Sequence, residues 1–513
     1  MSAKEFIEKI KAQEINIVEH TYKLIEECKE INKEYNYLNV ISEELALSQA
    51  KEIKKQLKKN DKNITNKKLL GVAISVKDSI CVKNVESTAG SKILQGYKPL
   101  FDAFVIQRVK EEGGIIIGKT SQDEFGFGGF SVNVGIGFKV PKNPFDMERS
   151  CGGSSGGAAG LSQKLSNHIA LGESTGGSIV EPASFCGVYG LCPTYGRVSR
   201  YGLIDFANSL DKIGPMGKTI EDVALLMNVI SGYDRNDSTS INVKPTKIND
   251  FRGTSKIKDF AVQKIQKFSR TKNAKHFLVN EDYEKYLKKP VKGMKIGIIK
   301  EAFGSGVERE IEKNVYNGIE ELEEEGAKTE EISLELPIKY GIPTYYMIAT
   351  SEASTNLAKY CGMRYGIAEK LEGSFNEYFT KVRSSNFGDE AKRRIIIGTF
   401  ARMAGYRDAF YLKAMKVRTL MINEYKKAFK KFDALISPTA SILPPKFSDI
   451  EKLSPLQHYM LDVMTVSPNV AGLPHLNVPV GFEKNLPVGM LLIADHLQEG
   501  KLIQLGSVIG KRK

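Results

Sequence analysis

CGGSSGGAAGLSQKLSNHIALGESTGGSIVEPASFCGVYGLCPT, residues 151–194, sets two glycine-flanked serine sites inside one continuous segment. Glycine lacks a Cβ and reaches backbone conformations closed to other residues, so a substrate can approach the main chain closely. GGSSGG (residues 152–157) and STGGSI (residues 174–179) therefore read as two bared loops, each presenting a hydroxyl. On this pattern Ser154, Ser155 and Ser178 are equal claimants to chemistry.

Working outward, LLGVAISVKD (residues 69–78) is a short apolar run rich in β-branched residues, which reads as a buried strand ended by Lys77. Residues 102–114 read as a helix closed by glycine, and IIIGKT (115–120) as the next buried strand. Residues 1–60 carry Phe6, Ile10, Ile15, Val18, Tyr22 and Ile25 at helical spacing, predicting an amphipathic helical entry. Downstream, Thr219 opens a helix, with Asp222 completing a capping-box pattern. Strands are predicted over 293–303, 326–334 and 433–439, helices over 307–325, 349–360 and 400–432, and an apolar close over 463–494. This alternation predicts an α/β fold, a large mixed β-sheet covered on both faces by helices. Residues 239–292 are polar and lysine-rich and read as a surface insert.

Composition narrows the function classes. With 41% hydrophobic and 26% charged residues in 513, the chain can bury a large core and is neither disordered nor a membrane protein. It has no apolar run of 18 residues and no secretory leader, which predicts a cytoplasmic or organelle-matrix protein without a membrane partner. The net charge of +13 comes largely from scattered lysines such as Lys51, Lys54 and Lys55, with little aromatic interleaving; this is a solvated face rather than a nucleic-acid groove. Six cysteines without a C-x-x-C pair argue for buried reduced thiols and against zinc. GGIIIGKT (113–120) fits the phosphate-loop spacing, but a helix precedes it and its isoleucines are strand formers, so that reading is set aside.

A serine hydroxyl is a weak nucleophile and requires a base within reach. GGSSGG satisfies the G-x-S-x-G elbow in two registers, and His475, after GLP, is the one later histidine in a tight apolar context. No strand directly precedes those serines, so the histidine-based reading stands second. Lysine is the other base on offer. A lysine desolvated at a buried strand end turns toward its neutral, proton-accepting form.

GVAISVKD, GGSSGG and GESTGGSI together resemble the amidase-signature enzymes, and the 24-residue spacing from Ser154 to Ser178 is the family's usual one. The resemblance implies that Ser178 is the acyl-forming nucleophile, Ser154 the bridging serine that relays a proton, and Lys77 the base. It also implies an oxyanion hole from the backbone N–H groups of Thr175, Gly176, Gly177 and Ser178, and leaves Ser155 a loop residue. By the same resemblance residues 1–513 form a single amidase domain, with a helical segment (1–60), a signature core (61–238), the insert (239–292) and a second half (293–513).

Within that family, residues 185–239 and the segments ATSEASTNLAKYCGMRYG, GDEAKRRIIIGTF and NVAGLPHLNVPVGF are similar to the glutamine-hydrolysing subunits of tRNA-dependent amidotransferases. The similarity implies glutamine as substrate and two further subunits as partners. One of these would use ATP and Mg to convert misacylated Glu-tRNA(Gln), or Asp-tRNA(Asn), with the ammonia released here; no metal or cofactor is implied for this chain. A glutamine site calls for an arginine fork and a carboxylate. Arg394 in AKRRI (or Arg393), Asp462 in YMLD and Tyr345 are the matching candidates. A stand-alone amidase and a catalytically weak scaffold are the alternatives. The chain departs from the family pattern at Ser174, Val180 and Glu181, where members usually carry Asp, Arg and Gln, and at Val132, where many carry Glu. Losing Asp and Arg together is expected to leave no orphan charge beside the nucleophile.

Overall fold

The computed structural model describes residues 2–59, 62–242, 281–304 and 306–510, so most of the predicted insert lies outside the described residues. Among these, eleven strands build one sheet. They are β1 (Leu38–Ile41), β2 (Ala73–Lys77), β3 (Ile115–Thr120), β4 (His168–Ser174), β5 (Tyr189–Cys192), β6 (Lys212–Gly217), β7 (Lys295–Ile299), β8 (Lys328–Ile332), β9 (Ala434–Pro438), β10 (His475–Glu483) and β11 (Leu486–Ala494). Their order across the sheet is β1-β3-β2-β4-β6-β5-β10-β11-β9-β7-β8. β3, β2 and β4 run parallel, as do β9, β7 and β8, while the strands between them pair antiparallel.

Every residue of β2, β3, β4, β9 and β11 is buried, which requires cover on both faces and explains their unbroken apolar runs. The mixed sheet read from the sequence is the one observed. Inside IIIGKT, Lys119 is a buried strand residue, its ammonium 3.4 Å from Asp78 Oδ1 and 2.7 Å from Ser87 Oγ, so no phosphate loop exists there. Thr219 caps the helix Ile220–Ile230 by accepting the Asp222 N–H at 3.2 Å.

Three local expectations differ from the structure. The N-terminal segment is not helical throughout: Asn36 closes the helix Ile17–Tyr35 in the left-handed region, and the apolar LNVI that follows becomes the edge strand β1 against β3. The helix expected over 349–360 is the far end of the longer helix Glu335–Asn356, which accommodates Pro343. The helix expected over 400–432 is broken: Asp389–Arg402 ends before Gly405, whose φ of +88° reverses the chain, and a helix over Lys413–Ala428 resumes beyond a π-helical turn. Among the described residues no helix is long and apolar enough to cross a membrane.

A second apolar cluster, built from the helices Glu335–Asn356 and Asp389–Arg402 with Phe125, Phe127 and Phe206, faces the ends of β2 and β4 and forms the far wall of the site. The two helices meet at Gly398, where a Cβ would lie 1.8 Å from the Thr350 carbonyl oxygen. Gly398→Ala must push them apart. The expected cost is about 1–3 kcal/mol, read as a lowered thermal unfolding midpoint, with a loss of activity because Arg394 rides on the displaced helix.

Candidate active site

Parallel pairing of β2 with β4 brings Lys77, the last residue of β2, beside Glu173 near the end of β4. Lys77 is fully buried, and its ammonium touches three oxygens: Ser154 Oγ at 2.8 Å, the Glu173 carbonyl at 2.9 Å and Glu173 Oε2 at 2.8 Å. Ser155, the second hydroxyl of GGSSGG, donates to the same Glu173 carbonyl at 3.1 Å, and its backbone N–H donates to the Ser178 carbonyl at 3.2 Å. The two glycine loops are thus tied to one another and to the strand ends. The Gly153–Ser154 peptide is cis.

The STGGSI turn is held from outside. The Thr175 carbonyl accepts a hydrogen bond from Asn469 Nδ2, and its hydroxyl lies 2.9 Å from Glu173 Oε1 and 2.8 Å from Asp211 Oδ1. A Cβ on Gly177 would lie 2.2 Å from Thr465 Oγ1, and one on Gly176 would lie 2.9 Å from the Tyr345 ring, so the glycines are required by close approach. Among the described residues, none accepts a hydrogen bond from the backbone N–H groups of Gly176, Gly177 or Ser178. The Ser178 hydroxyl is hydrogen-bonded to neither Ser154 nor a histidine, and at 6% exposure Ser178 is the one of the three serines that solvent reaches. This arrangement leaves a free hydroxyl beside unused donors, with an amine and a second hydroxyl behind it.

Two of the substrate candidates, Tyr345 and Asp462, meet the same turn, and Arg394 stands across Tyr346 from them. Arg394 is buried, donates to Glu390 Oε1 at 2.8 Å, and lies against the faces of Phe127, Phe206, Tyr346 and Tyr459. It lines a cavity of about 280 Å³ with Gly128, Gly129, Tyr346, Glu390 and His458. Asp462 accepts from the Tyr346 hydroxyl at 3.3 Å and reaches within 3.4 Å of the Cβ position of Gly177. Burial raises its carboxyl to about 6 against the opposing pull of Arg394. Tyr346 stands on the cavity wall; Tyr345 sits one layer back, packed on Gly176 and edge-on to Tyr346. Arg393, the alternative to Arg394, also pairs with Glu390 but is far more exposed.

His475 lies on β10 with Nδ1 3.1 Å from the Leu473 carbonyl, and no histidine among the described residues bonds to Ser154, Ser155 or Ser178, so the elbow reading falls. Sequence reasoning missed Glu173, Asp123, Asp211, Tyr346, Glu390 and Asn469. The signal for Glu173 was available: a carboxylate inside an apolar strand, directly ahead of a glycine turn, must find a partner. Asp123 sits beneath the GGSSGG loop, accepting the Ser131 and Asn133 N–H groups, and burial raises its carboxyl to about 6.

Three departures from the family pattern, Ser174, Val180 and Glu181, are buried within a few residues of Ser178, and Val132 is half-buried in a separate apolar cluster with Phe130 and Leu461. Val180 is core, and the Ser174 hydroxyl has no partner. Glu181 adds a buried carboxyl that the expectation for positions 174 and 180 did not address. Among the described residues neither of its buried carboxyl oxygens has a partner, and burial, then repulsion from Asp462, push it well above the ordinary carboxylate range.

Comparison with known proteins gives one consistent result. Residues 19–271 and 254–503 match the amidase family. The glutamyl-tRNA(Gln) amidotransferase A-subunit of Thermoanaerobacter pseudethanolicus is 41% identical over 98% of this chain and 94% of its own length. The protein of the same name from Sulfurihydrogenibium sp. is 42% identical over 98% and 95%. Among solved structures, the glutamyl-tRNA(Gln) amidotransferase A-subunit of Thermotoga maritima superposes with a TM-score of 0.72 at 33% identity, covering 96% of this chain and 92% of that one. The peptide amidase of Stenotrophomonas maltophilia shares the fold, with a TM-score of 0.75 at 24% identity over 99% and 96% of the two chains.

The Glu181 assignment is testable through pH. Below the ordinary carboxylate range both folded and unfolded chains hold the proton, so the residue is neutral in both. Above it the unfolded chain ionises and the folded one does not, so stability is lost as pH rises. Glu181→Gln is therefore expected to raise the unfolding midpoint at pH about 7.5 by roughly 2–4 °C and to leave it unchanged near pH about 4, as measured by calorimetry.

Proposed function

The chain belongs to the amidase family, and from that premise we propose that it is the glutamine-hydrolysing subunit of a tRNA-dependent amidotransferase. The observation that carries the reading is the buried contact of Lys77 Nζ with Ser154 Oγ at 2.8 Å, behind a Ser178 hydroxyl flanked by unused backbone donors. Ser178 attacks the side-chain amide carbon of glutamine as its proton passes through Ser154 to Lys77. The N–H groups of the Thr175–Ser178 turn receive the oxyanion, fixed in place before charge develops. The proton returns to the departing nitrogen, ammonia leaves, and water hydrolyses the glutamyl ester by the same route reversed.

Selectivity for glutamine follows from charge. Its α-carboxylate suits the Arg394 guanidinium and its α-ammonium suits Glu390, both on the cavity wall, and Asp462, which stands behind the wall residue Tyr346. The ammonia is passed to a partner subunit that uses ATP and Mg to amidate Glu-tRNA(Gln), and Asp-tRNA(Asn) where that is served. Two such subunits complete the complex, tRNA is bound through the partner, and the assembly works in the cytoplasm or an organelle matrix. The names of the relatives support this reading.

Ammonia release from glutamine, measured with and without the partner subunits and misacylated tRNA, tests it. Partner-dependent release is expected, lowered by at least about 10³-fold in Ser178→Ala and Lys77→Met. Equal turnover of many amides by the chain alone would replace the reading with that of a free amidase. Arg394→Lys is expected to raise KM roughly ten-fold or more with little change in kcat, because the planar fork is lost and the charge kept. Because Asp462 titrates at about 6, KM for glutamine is expected to rise as pH falls below that value.

A further inference from the structure

The contacts of Lys77 raise a question of proton accounting. An ammonium has three hydrogens and no lone pair, and in the charged form of Lys77 the three oxygens around Nζ take all three. In that state Lys77 cannot accept the proton of Ser154. One hydrogen must leave first, and of the three neighbours only Glu173 Oε2 can receive it, since a backbone carbonyl is no base and Ser154 is the group about to donate. Lys77 and Glu173 are both buried, so bulk water is a slower acceptor than the carboxylate in contact.

We propose that Glu173 is a positioning residue that turns Lys77 into a base by accepting its third proton, so that Lys77 and Glu173 pass one proton between them in every cycle. This rests on the reading that Ser178 attacks. In the forward step the Ser178 Oγ–H bond breaks as Oγ bonds to the acyl carbon, and that proton moves to Ser154. The Ser154 proton moves to the Lys77 amine, whose own proton rests on Glu173, and a turn about Cε–Nζ presents the lone pair to Ser154. When the leaving group departs the transfers reverse, and no proton is gained or lost.

The far side of Glu173 is arranged for this task. The Thr175 hydroxyl has one hydrogen but contacts two carboxyls, Glu173 Oε1 at 2.9 Å and Asp211 Oδ1 at 2.8 Å. Either carboxyl can satisfy that geometry only if one of them holds a proton. Burial, then the charge of Glu173, push the Asp211 carboxyl well above the ordinary range against the pull of the Ala207 N–H, which favours a proton on Asp211. Glu173 thus starts as the acceptor. The other titratable groups around the pair are Asp123, which feels the Lys77 charge from below the GGSSGG loop, and Cys192 and Tyr345, whose ionisation the Glu173 charge opposes.

The test follows the activation of Ser178 without relying on glutamine. Phenylmethanesulfonyl fluoride transfers its sulfonyl group to an activated serine, releasing fluoride and the serine proton. Its rate of attachment to Ser178 in the full chain, followed by mass spectrometry from about pH 7 to 9, is expected to be flat in the wild type because the proton is passed internally. In Glu173→Gln, Lys77 must shed its proton to solvent. The rate is expected to be roughly ten-fold or more slower near pH about 7 and to climb with pH. A variant with the wild-type rate and profile overturns the proposal, as does one faster than wild type at neutral pH, where the carboxylate would merely hold Lys77 charged. Should Glu173→Gln not fold, Glu173→Asp keeps a carboxylate one methylene further back. It is expected to give a flat profile at a lower plateau, and an unchanged plateau overturns the proposal. Labelling of Ser178 in a wild type that releases no ammonia from glutamine would fail the functional reading and leave this one standing.

Discussion

A lysine ammonium and a glutamate carboxylate, 2.8 Å apart and both out of water, are the constraint on which the site depends. Burying either alone costs several kcal/mol, and their attraction offsets that only if the remaining donors and acceptors are also met. The surroundings meet them: Lys77 spends its other hydrogens on Ser154 and the Glu173 carbonyl, and Glu173 takes the Thr175 hydroxyl on its second oxygen. The positions of both catalytic loops follow from that demand. GGSSGG must deliver a hydroxyl to the lysine, and the STGGSI turn must deliver one to the glutamate.

The same demand ties the two ends of the chain together. The turn that carries Ser178 belongs to the first half, yet Tyr345, Asp462, Thr465 and Asn469 of the second half shape it from the other side. Asn469 fixes both the Thr175 and the Leu210 carbonyls, and the glycines at 176 and 177 exist because Tyr345 and Thr465 occupy the space a side chain would fill. A substrate bound between Arg394 and Asp462 is therefore registered against the nucleophile through the packing itself. Specificity and chemistry share one set of contacts.

Much of this was legible in the residues. Apolar runs of β-branched residues mark the strands that are buried on both faces, and Lys77, Ser154 and Ser178 stand out because charge and glycine are rare in such runs. The failures have physical causes. LNVI is too short for its period to separate strand from helix, and only its pairing with β3 makes it a strand. The reversal at Gly405 is local, set by a positive φ that a glycine adopts freely, while Pro343 is accommodated inside its helix. Tyr346 could not be told from Tyr345, because both belong to one helix and only its packing shows which ring faces the cavity. Glu173 lies at a position that the family pattern leaves open, next to Ser174, so only the structure shows its contact with Lys77.

The electrostatics of the turn can be argued one step further. Five carboxyls, Asp123, Glu173, Glu181, Asp211 and Asp462, lie buried around a site whose transition state bears an oxyanion. Five negative charges would defeat catalysis, since each would raise the energy of the charge that the N–H groups of the turn must hold. Burial removes the problem unevenly. Glu181 and Asp211 are pushed well above the ordinary carboxylate range, toward their neutral forms, and Glu173 is matched by Lys77. Asp123 and Asp462 are raised only to about 6 and keep their charge at neutral pH, with Arg394 pulling both back toward ionisation. What survives is the charge of Asp462, drawn toward Arg394, and that of Asp123 beneath the GGSSGG loop, where Lys77 and Arg394 both offset it. The departures at Ser174 and Val180 fit that pattern, because a charged pair there would sit against the nucleophile, beside carboxyls that burial has already pushed toward neutrality.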